Sequence, residues 1–227
     1  MSLFERVFRW GGGAVFVGAL AFCAYTFVFV WSRDAGFHGG AIATDALLFT
    51  AFAIHHSVFA RDSVKRGIAQ IVPNRLIRST YVWIASLLLT GVCLFWQAIG
   101  GELYDAQGWL AVLLHAGVQV AGLTLIVSAV RKIDALELAG IREHAGDEPL
   151  QISGPYRLVR HPIYLGWLLA TFGPAHMTLD RLMFAVISAV YLVVAMPIEE
   201  RALLRSFGKT YARYQERVRW RVVPYIY

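Results

Sequence analysis

The sequence predicts an all-helical, polytopic membrane bundle of about five to six transmembrane helices, ending in an amphipathic helix. Three observations predict it. Hydrophobic residues make up 58% of the 227 and charged residues only 16%, against about 45–50% and about 25% in soluble domains. Several uncharged stretches approach the ~20 residues that cross a hydrocarbon core. The basic side chains fall on alternate connections, the pattern by which positive charge marks the cytoplasmic side.

The first span is expected over 11–31. It carries no charge, and Trp10 and Trp31 stand at its ends as interfacial aromatics do. Arg6 and Arg9 precede it, but no small-residue cleavage site follows, so the stretch reads as a span rather than a removed signal. Gly11-Gly12-Gly13 lacks the strand–turn–helix setting of a phosphate loop and reads as a flexible lead-in. The second span, 40–60, holds Asp45 near one end and His55-His56-Ser57 near the other. The third and fourth, 79–100 and 109–130, are interrupted by His115 alone. Cys23 and Cys93 lie inside apolar runs, where a thiol is a small hydrophobe, and neither spacing nor context makes a disulfide or a metal site. Two shorter runs, 162–179 and 182–198, meet at Asp180-Arg181 as a helical hairpin, with a bend expected at Gly173-Pro174.

The connections set the orientation. Residues 61–78 carry Arg61, Lys65, Arg66, Arg75 and Arg78 against Asp62, whereas 101–108 carry Glu102 and Asp105 and no basic residue. Arg131, Lys132, Arg142, Arg157 and Arg160 follow the fourth span, and further arginines run from Arg201 to Arg221. An even number of spans with both termini cytoplasmic satisfies this distribution. The same segregation accounts for the net charge of +6 without nucleic acid as a partner. One domain is expected, with 1–131 a four-span N-terminal bundle and 132–227 the half that binds a cofactor. Over 201–219, Leu204, Phe207, Tyr211, Tyr214 and Val218 recur at helical steps, with Arg205, Lys209, Arg213 and Arg217 on another face. That helix would lie on an anionic membrane surface or pack back on the bundle.

Two polar clusters carry the functional argument. In the first, from Gly154 to Gly166, Pro155 and Pro162 bias the residues before them toward extended backbone. Residues 153–161 are therefore expected as a loop, with Pro162 opening a helix. That helix start aims unpaired N–H groups and a positive dipole end at the loop, and with Arg160 and His161 the spot suits a carboxylate or phosphate. An ordinary juxtamembrane loop with snorkelling side chains is the plainer alternative. The second cluster, Glu199-Glu200-Arg201, sets two carboxylates at a helix end whose dipole prefers cations. Either arginines such as Arg201 and Arg205 compensate the pair, or a ligand with donor groups does. The two carboxylates point ~100° apart on a helix, so one can face a ligand and the other the protein. His55 and His56 are adjacent rather than spaced i, i+4 and make no helical zinc pair. With Ser57 they line a substrate cavity or cap the second span.

Gly154-Pro155-Tyr156, Arg160-His161-Pro162 with Tyr164 and Gly166, Glu199-Glu200, Phe207-Gly208, and Tyr211 with Tyr214 resemble a known C-terminal signature. It is that of the superfamily of isoprenylcysteine carboxyl methyltransferases and phospholipid methyltransferases, and the likeness covers roughly 148–220. His56-Ser57-Val58-Phe59-Ala60-Arg61, Arg78-Ser79-Thr80-Tyr81-Val82 and Ile133-Asp134 through Gly140-Ile141-Arg142 look like its bacterial methanethiol S-methyltransferase branch. The resemblance implies a bacterial inner-membrane enzyme using S-adenosylmethionine, held by the C-terminal helices on the cytoplasmic side and roofed by the tail. It implies that Tyr156, His161 and Tyr164, with Leu150 and with Glu199 or Glu200, contact that cofactor, and it implies no metal. Arg160 is then the candidate catalytic residue, toward an anionic substrate or the cofactor carboxylate, and His56 and Ser57 are candidate substrate contacts.

The partners expected are membrane lipids and a small thiol or other lipid-soluble methyl acceptor. A thiol has a reference pKa near 8.5, so no strong base is compulsory. The chain also departs from the isoprenylcysteine enzymes. Glu148 and Gln151 replace the histidine and valine of their His-x-Leu-Val contact, and Ala195-Met196-Pro197-Ile198 supplies no arginine before the glutamates. Isoprenylcysteine carboxyl or phospholipid N-methylation is thus one alternative. A membrane sterol or enone reductase using NADPH is another, and would leave the paired glutamates unexplained. A non-catalytic membrane protein is the third.

Overall fold

The computed structural model describes residues 2–31, 33, 36–59, 62–142 and 149–227. Ala60, Arg61 and Glu148, which the motif reading used, lie outside the described residues. The elements in chain order are helices α1 (Leu3–Tyr25), α2 (Ala41–Phe59), α3 (Asp62–Ile68) and α4 (Asn74–Phe95), strand β1 (Glu102–Asp105), helices α5 (Trp109–Val130), α6 (Ala135–Leu138) and α7 (Pro162–Phe172), strand β2 (His176–Thr178), and helices α8 (Leu179–Phe207) and α9 (Lys209–Arg217). The protein is an all-α, multi-pass membrane protein. Helices α1 with its extension, α2, α4, α5 and α8 are long and apolar enough to cross a membrane, and α7 is a shorter apolar helix.

The chain forms two compact units, residues 1–101 with 135–145, and 102–134 with 146–227. The fourth apolar helix therefore groups with the C-terminal half, which differs from the expected division after residue 131.

In the first unit, α1 begins at Leu3, ahead of the expected start at 11, because its charges are satisfied. Ser2 and Glu5 form a reciprocal capping box. Glu5 also accepts the guanidinium of Arg75, whose carbonyl accepts from Arg9 Nη2 at 2.6 Å. The glycine run is no flexible lead-in but helix interior. A Cβ on Gly12 would stand 2.9 Å from the Trp83 indole nitrogen, and one on Gly13 would stand 2.6 Å from Ile141. Such small residues let elements approach closely, and the Trp83 indole donates to the Phe8 carbonyl at 3.0 Å. The helix then widens into a π-helical turn, Thr26–Val30. Gly140 has φ +69°, and a Cβ there would meet the Ser79 Cα at 3.0 Å. Ser79 Oγ donates to the Gly140 carbonyl at 2.5 Å.

In the second unit, α5 and α7 cross backbone to backbone. A Cβ on Gly122 would lie 2.6 Å from the Gly166 carbonyl, and one on Gly166 would lie 2.6 Å from the Gly122 carbonyl. Gln119 Nε2 donates to the Ala170 carbonyl at 3.1 Å across the same seam. This contact is the physical reason α5 joins the C-terminal half.

Three expectations for this unit change. Helix α7 stops at Phe172 instead of bending on to 179, because Pro174 cannot supply the next helical N–H. The chain there pairs as β2 with β1, antiparallel. Helix α8 runs past the expected end at 198 and carries both glutamates inside it. The tail is two helices rather than one, since Gly208 at φ +50° breaks the path. Tyr211, Tyr214 and Val218 then bury against Leu150, Ile152, Leu203 and Phe207. That face of α9 packs back on its own unit, while Arg205, Lys209, Arg213 and Arg217 stay exposed.

Candidate active site

The site is built on the segment leading into α7. Ser153 is extended, and Gly154 takes φ +61°, a left-handed conformation open to glycine, where extended backbone was expected. Residues Gly154–Arg157 form one 3₁₀ turn with Pro155 in its first positions. The amides of Arg160 and His161 then donate to the carbonyls of Trp220 and Arg221 at 2.9 and 2.8 Å. The tail is thus strapped along this segment by backbone bonds. Pro162 opens α7 directly after His161, as its fixed φ favours.

The two glutamates have different surroundings. Glu200 is 3% exposed. Its Oε1 accepts from Arg160 Nε at 2.7 Å and lies 3.3 Å from His161 Nε2, and its Oε2 accepts from Arg221 Nε at 3.1 Å and Gln215 Nε2 at 3.3 Å. A buried carboxylate needs this degree of pairing. The compensating cations are Arg160 and Arg221, not Arg201, whose Nε donates to the Pro197 carbonyl at 3.0 Å. Glu199 is open instead, its side chain 47% exposed. It accepts the Tyr164 hydroxyl at 2.7 Å and lies 3.7 Å from His161 Nδ1. The His161 ring stacks on Tyr164 at 5.1 Å and so spans both carboxylates.

Arg160 is committed on several sides. Besides Glu200, its Nη1 donates to the carbonyls of Val218 and Arg219, both at 2.8 Å. Three tyrosines complete the polar wall. Tyr214 donates to the Tyr156 carbonyl at 2.7 Å. Burial pushes the phenols of Tyr156 and Tyr214 up to about 12. Burial, followed by the Glu200 carboxylate, raises Tyr211 further. The Tyr211 hydroxyl is buried and has no hydrogen-bond partner among the described residues. Leaving such a group unpaired costs about 1–3 kcal/mol.

Beside this wall lies an apolar cavity of about 240 Å³. Tyr164, Leu168, Leu192 and Met196 line one part, and Val222, Val223 and Tyr227 of the tail line another.

A phospholipid methyltransferase family model matches residues 110–210. Methanethiol S-methyltransferase 2 of Bradyrhizobium diazoefficiens is 37% identical over 188 residues, covering 79% of this chain and 72% of that protein. The methanethiol S-methyltransferase of Mycobacterium tuberculosis is 31% identical over 79% of this chain and 77% of its own.

The chain belongs to the phospholipid methyltransferase superfamily, in its methanethiol S-methyltransferase branch.

It is a membrane methyltransferase, and the reductase and non-catalytic alternatives are not favoured. Nurim of Xenopus laevis is a further relative, 31% identical over 91% of this chain and 82% of its own length. No solved structure matches.

In this methyltransferase chain, Tyr156, Arg160, His161, Tyr164, Glu199 and Glu200 gather in one unit, with Leu150 against the tyrosine cluster that backs them. Gln151 serves the backbone, its Nε2 donating to the Lys132 carbonyl at 2.7 Å. His56 and Ser57 belong to α2 of the other unit. There the Tyr81 hydroxyl bonds His56, and the His55 ring stacks on Tyr81 at 5.6 Å. Sequence reasoning missed Arg221, Gln215 and the unpartnered Tyr211 hydroxyl. Tyr211 was visible in the family signature and in the apolar stripe, but neither showed its hydroxyl lacking a partner. Arg221 lies beyond the matched signature, and no local pattern set it apart from its neighbouring arginines.

Proposed function

We propose that the protein is an S-adenosylmethionine-dependent methyltransferase acting on a small thiol, in a bacterial inner membrane with both termini cytoplasmic. The donor set fits that cofactor. Glu199 offers an open carboxylate to hydroxyl or ammonium donors, the buried Tyr211 hydroxyl lacks a partner among the described residues, and Tyr156, His161 and Tyr164 supply aromatic and polar contacts. Leu150 supports the tyrosines from behind. Glu200 and Arg160 act as positioning residues, tying the tail to the α7 segment. When bound, the cofactor supplies a methyl group activated on a sulfonium sulfur, whose carbon–sulfur bond breaks as the acceptor sulfur bonds the carbon.

The chain's own work is alignment and exclusion of water. A few per cent of a thiol with pKa near 8.5 is already thiolate at neutral pH, so its proton can go to solvent before transfer. The tyrosines take no part as bases, because burial keeps their phenols protonated. The thiol reading is supported by the methanethiol S-methyltransferases among the relatives and by the apolar cavity at Tyr164.

The unpartnered Tyr211 hydroxyl carries the cofactor assignment, and Tyr211→Phe tests it. Calorimetric titration of detergent-purified protein with S-adenosylhomocysteine should show micromolar binding to the native chain, weakened about tenfold in Tyr211→Phe. The variant itself should melt no lower, because it removes an unpaired polar group. Equal binding by both proteins removes Tyr211 from the cofactor contacts, and binding of NADPH instead overturns the cofactor assignment. Labelled S-adenosylmethionine offered with thiols, phosphatidylethanolamine and prenylcysteine then reads the acceptor, and label in the amine lipid alone refutes the thiol.

A further inference from the structure

The apolar cavity is a half-open recess. Tyr164 borders it and at the same time donates to Glu199, so one side chain touches both the polar wall and the cavity. No lining side chain carries a formal charge. Its volume, about 240 Å³, falls below the roughly 300–1,000 Å³ of sites that enclose drug-sized ligands.

The tail wall is held in place rather than merely adjacent. The amides of Arg221, Val222 and Val223 converge on a main-chain oxygen of Tyr227 at 2.9, 2.9 and 3.2 Å. Arg221 Nη1 donates to the Tyr227 hydroxyl at 2.7 Å, and its guanidinium carbon lies 5.0 Å from the centre of that ring. The same guanidinium reaches Glu200 through Nε. Tyr227 is therefore tied to the buried carboxylate through one shared arginine.

We propose that this chamber receives the alkyl group of the acceptor, and that Tyr227 with Val223 sets the upper limit on its length. The inference rests on the thiol reading above and adds the residues that set the alkyl length. Thiols bearing a carboxylate are rejected, since no lining side chain offers a cation to a buried anion. Ala189 of α8 also lines the chamber, so a large side chain there fills it from the opposite element.

The test is a kcat/KM series from methanethiol to octanethiol, with mercaptopropionate as the charged member. It uses the native chain, Tyr227→Ala, Tyr227→Phe and Ala189→Phe. One methylene in an apolar pocket is worth roughly 10- to 200-fold in discrimination. Tyr227→Ala should raise hexanethiol relative to methanethiol at least about tenfold, and Tyr227→Phe, which keeps the ring, should retain the native length limit. Ala189→Phe should lose the longer thiols first, and mercaptopropionate should stay poor throughout.

A binding readout accompanies the rates. Methyl hexyl sulfide titrated into protein saturated with S-adenosylhomocysteine should bind Tyr227→Ala and not Ala189→Phe, while S-adenosylhomocysteine affinity stays native in both. If the thiol profile is the same in all four proteins while thiols are methylated and S-adenosylhomocysteine binds, the chamber assignment is overturned and the thiol reading stands. If the native chain methylates no thiol, both fall together. Should Tyr227→Ala fail to fold, Ala189→Phe decides alone.

Discussion

Adjacent residues of the same type do different work here. Glu200 is closed in by Arg160, Arg221, His161 and Gln215, while Glu199 is half open and holds Tyr164. Glu200→Gln should lower the melting temperature, because it leaves two arginines around a neutral amide. Breaking a buried ion pair costs about 3–5 kcal/mol. Glu199→Gln should leave melting nearly unchanged and weaken S-adenosylhomocysteine about 10- to 100-fold, the equivalent of about 1.5–3 kcal/mol in a charged hydrogen bond. Melting and titration of the two variants side by side check this, and a reversed pattern refutes it. The tyrosines predict a pH effect. Tyr156 and Tyr214 are raised from the ordinary 10 to about 12. The folded state thus keeps protons that the unfolded chain releases, so this contribution is whole below pH 10 and is lost as pH rises toward about 12. A melting series across that range should show the fall, and Tyr214→Phe should blunt it.

At the scale of elements, the backbone crossing of α5 and α7 is the tightest contact at the base of the site. Gly166→Leu would drive a side chain into the Gly122 carbonyl and Ile126. Overpacking costs about 1–3 kcal/mol where neighbours can shift, and here the nearest neighbour is backbone, so unfolding or loss of cofactor binding is expected in the detergent preparation. Native melting and binding would refute the close crossing. The elements also show what was legible beforehand. The span 109–130 is read correctly because Gly108 and Arg131 bracket an uncharged run. The start of α1 is read late because Glu5 and Arg9 look exposed until Arg75 is seen to satisfy them. The small β pairing escapes notice because each strand is short and neither has a sequence-local partner. The break at Gly208 is passed over because the apolar spacing continues through it, and the spacing does not reveal a left-handed glycine.

At the scale of the molecule, the candidate site residues from Leu150 to Arg221 lie in one compact unit. Both polar clusters were legible as oddities: prolines and a histidine before an apolar run, and carboxylates where a helix dipole disfavours them. Their convergence was legible only through the family resemblance, since some forty residues separate Arg160 from Glu200. Which glutamate is buried depends on the tail, and no local pattern shows where the tail folds. A division into units predicts that stability and ligand affinity are separable. Gly140→Ala, at φ +69° against Ser79 within the first unit, should lower the melting temperature. It should leave S-adenosylhomocysteine affinity of the folded protein native, as paired melting and calorimetry would report.

Helix α8 carries Ala189 at the chamber and Glu199 at the polar wall as one continuous helix, with Pro197 inside it. At ~1.5 Å per residue the two stand ~15 Å apart along its axis, a graduated ruler with both marks cut into the same rod. One inserted residue between them would lengthen the gauge little, yet would swing the acidic pair ~100° about the axis. Lineages sharing this architecture should therefore vary the chamber by exchanging side chains, and keep the number of residues between the marks constant.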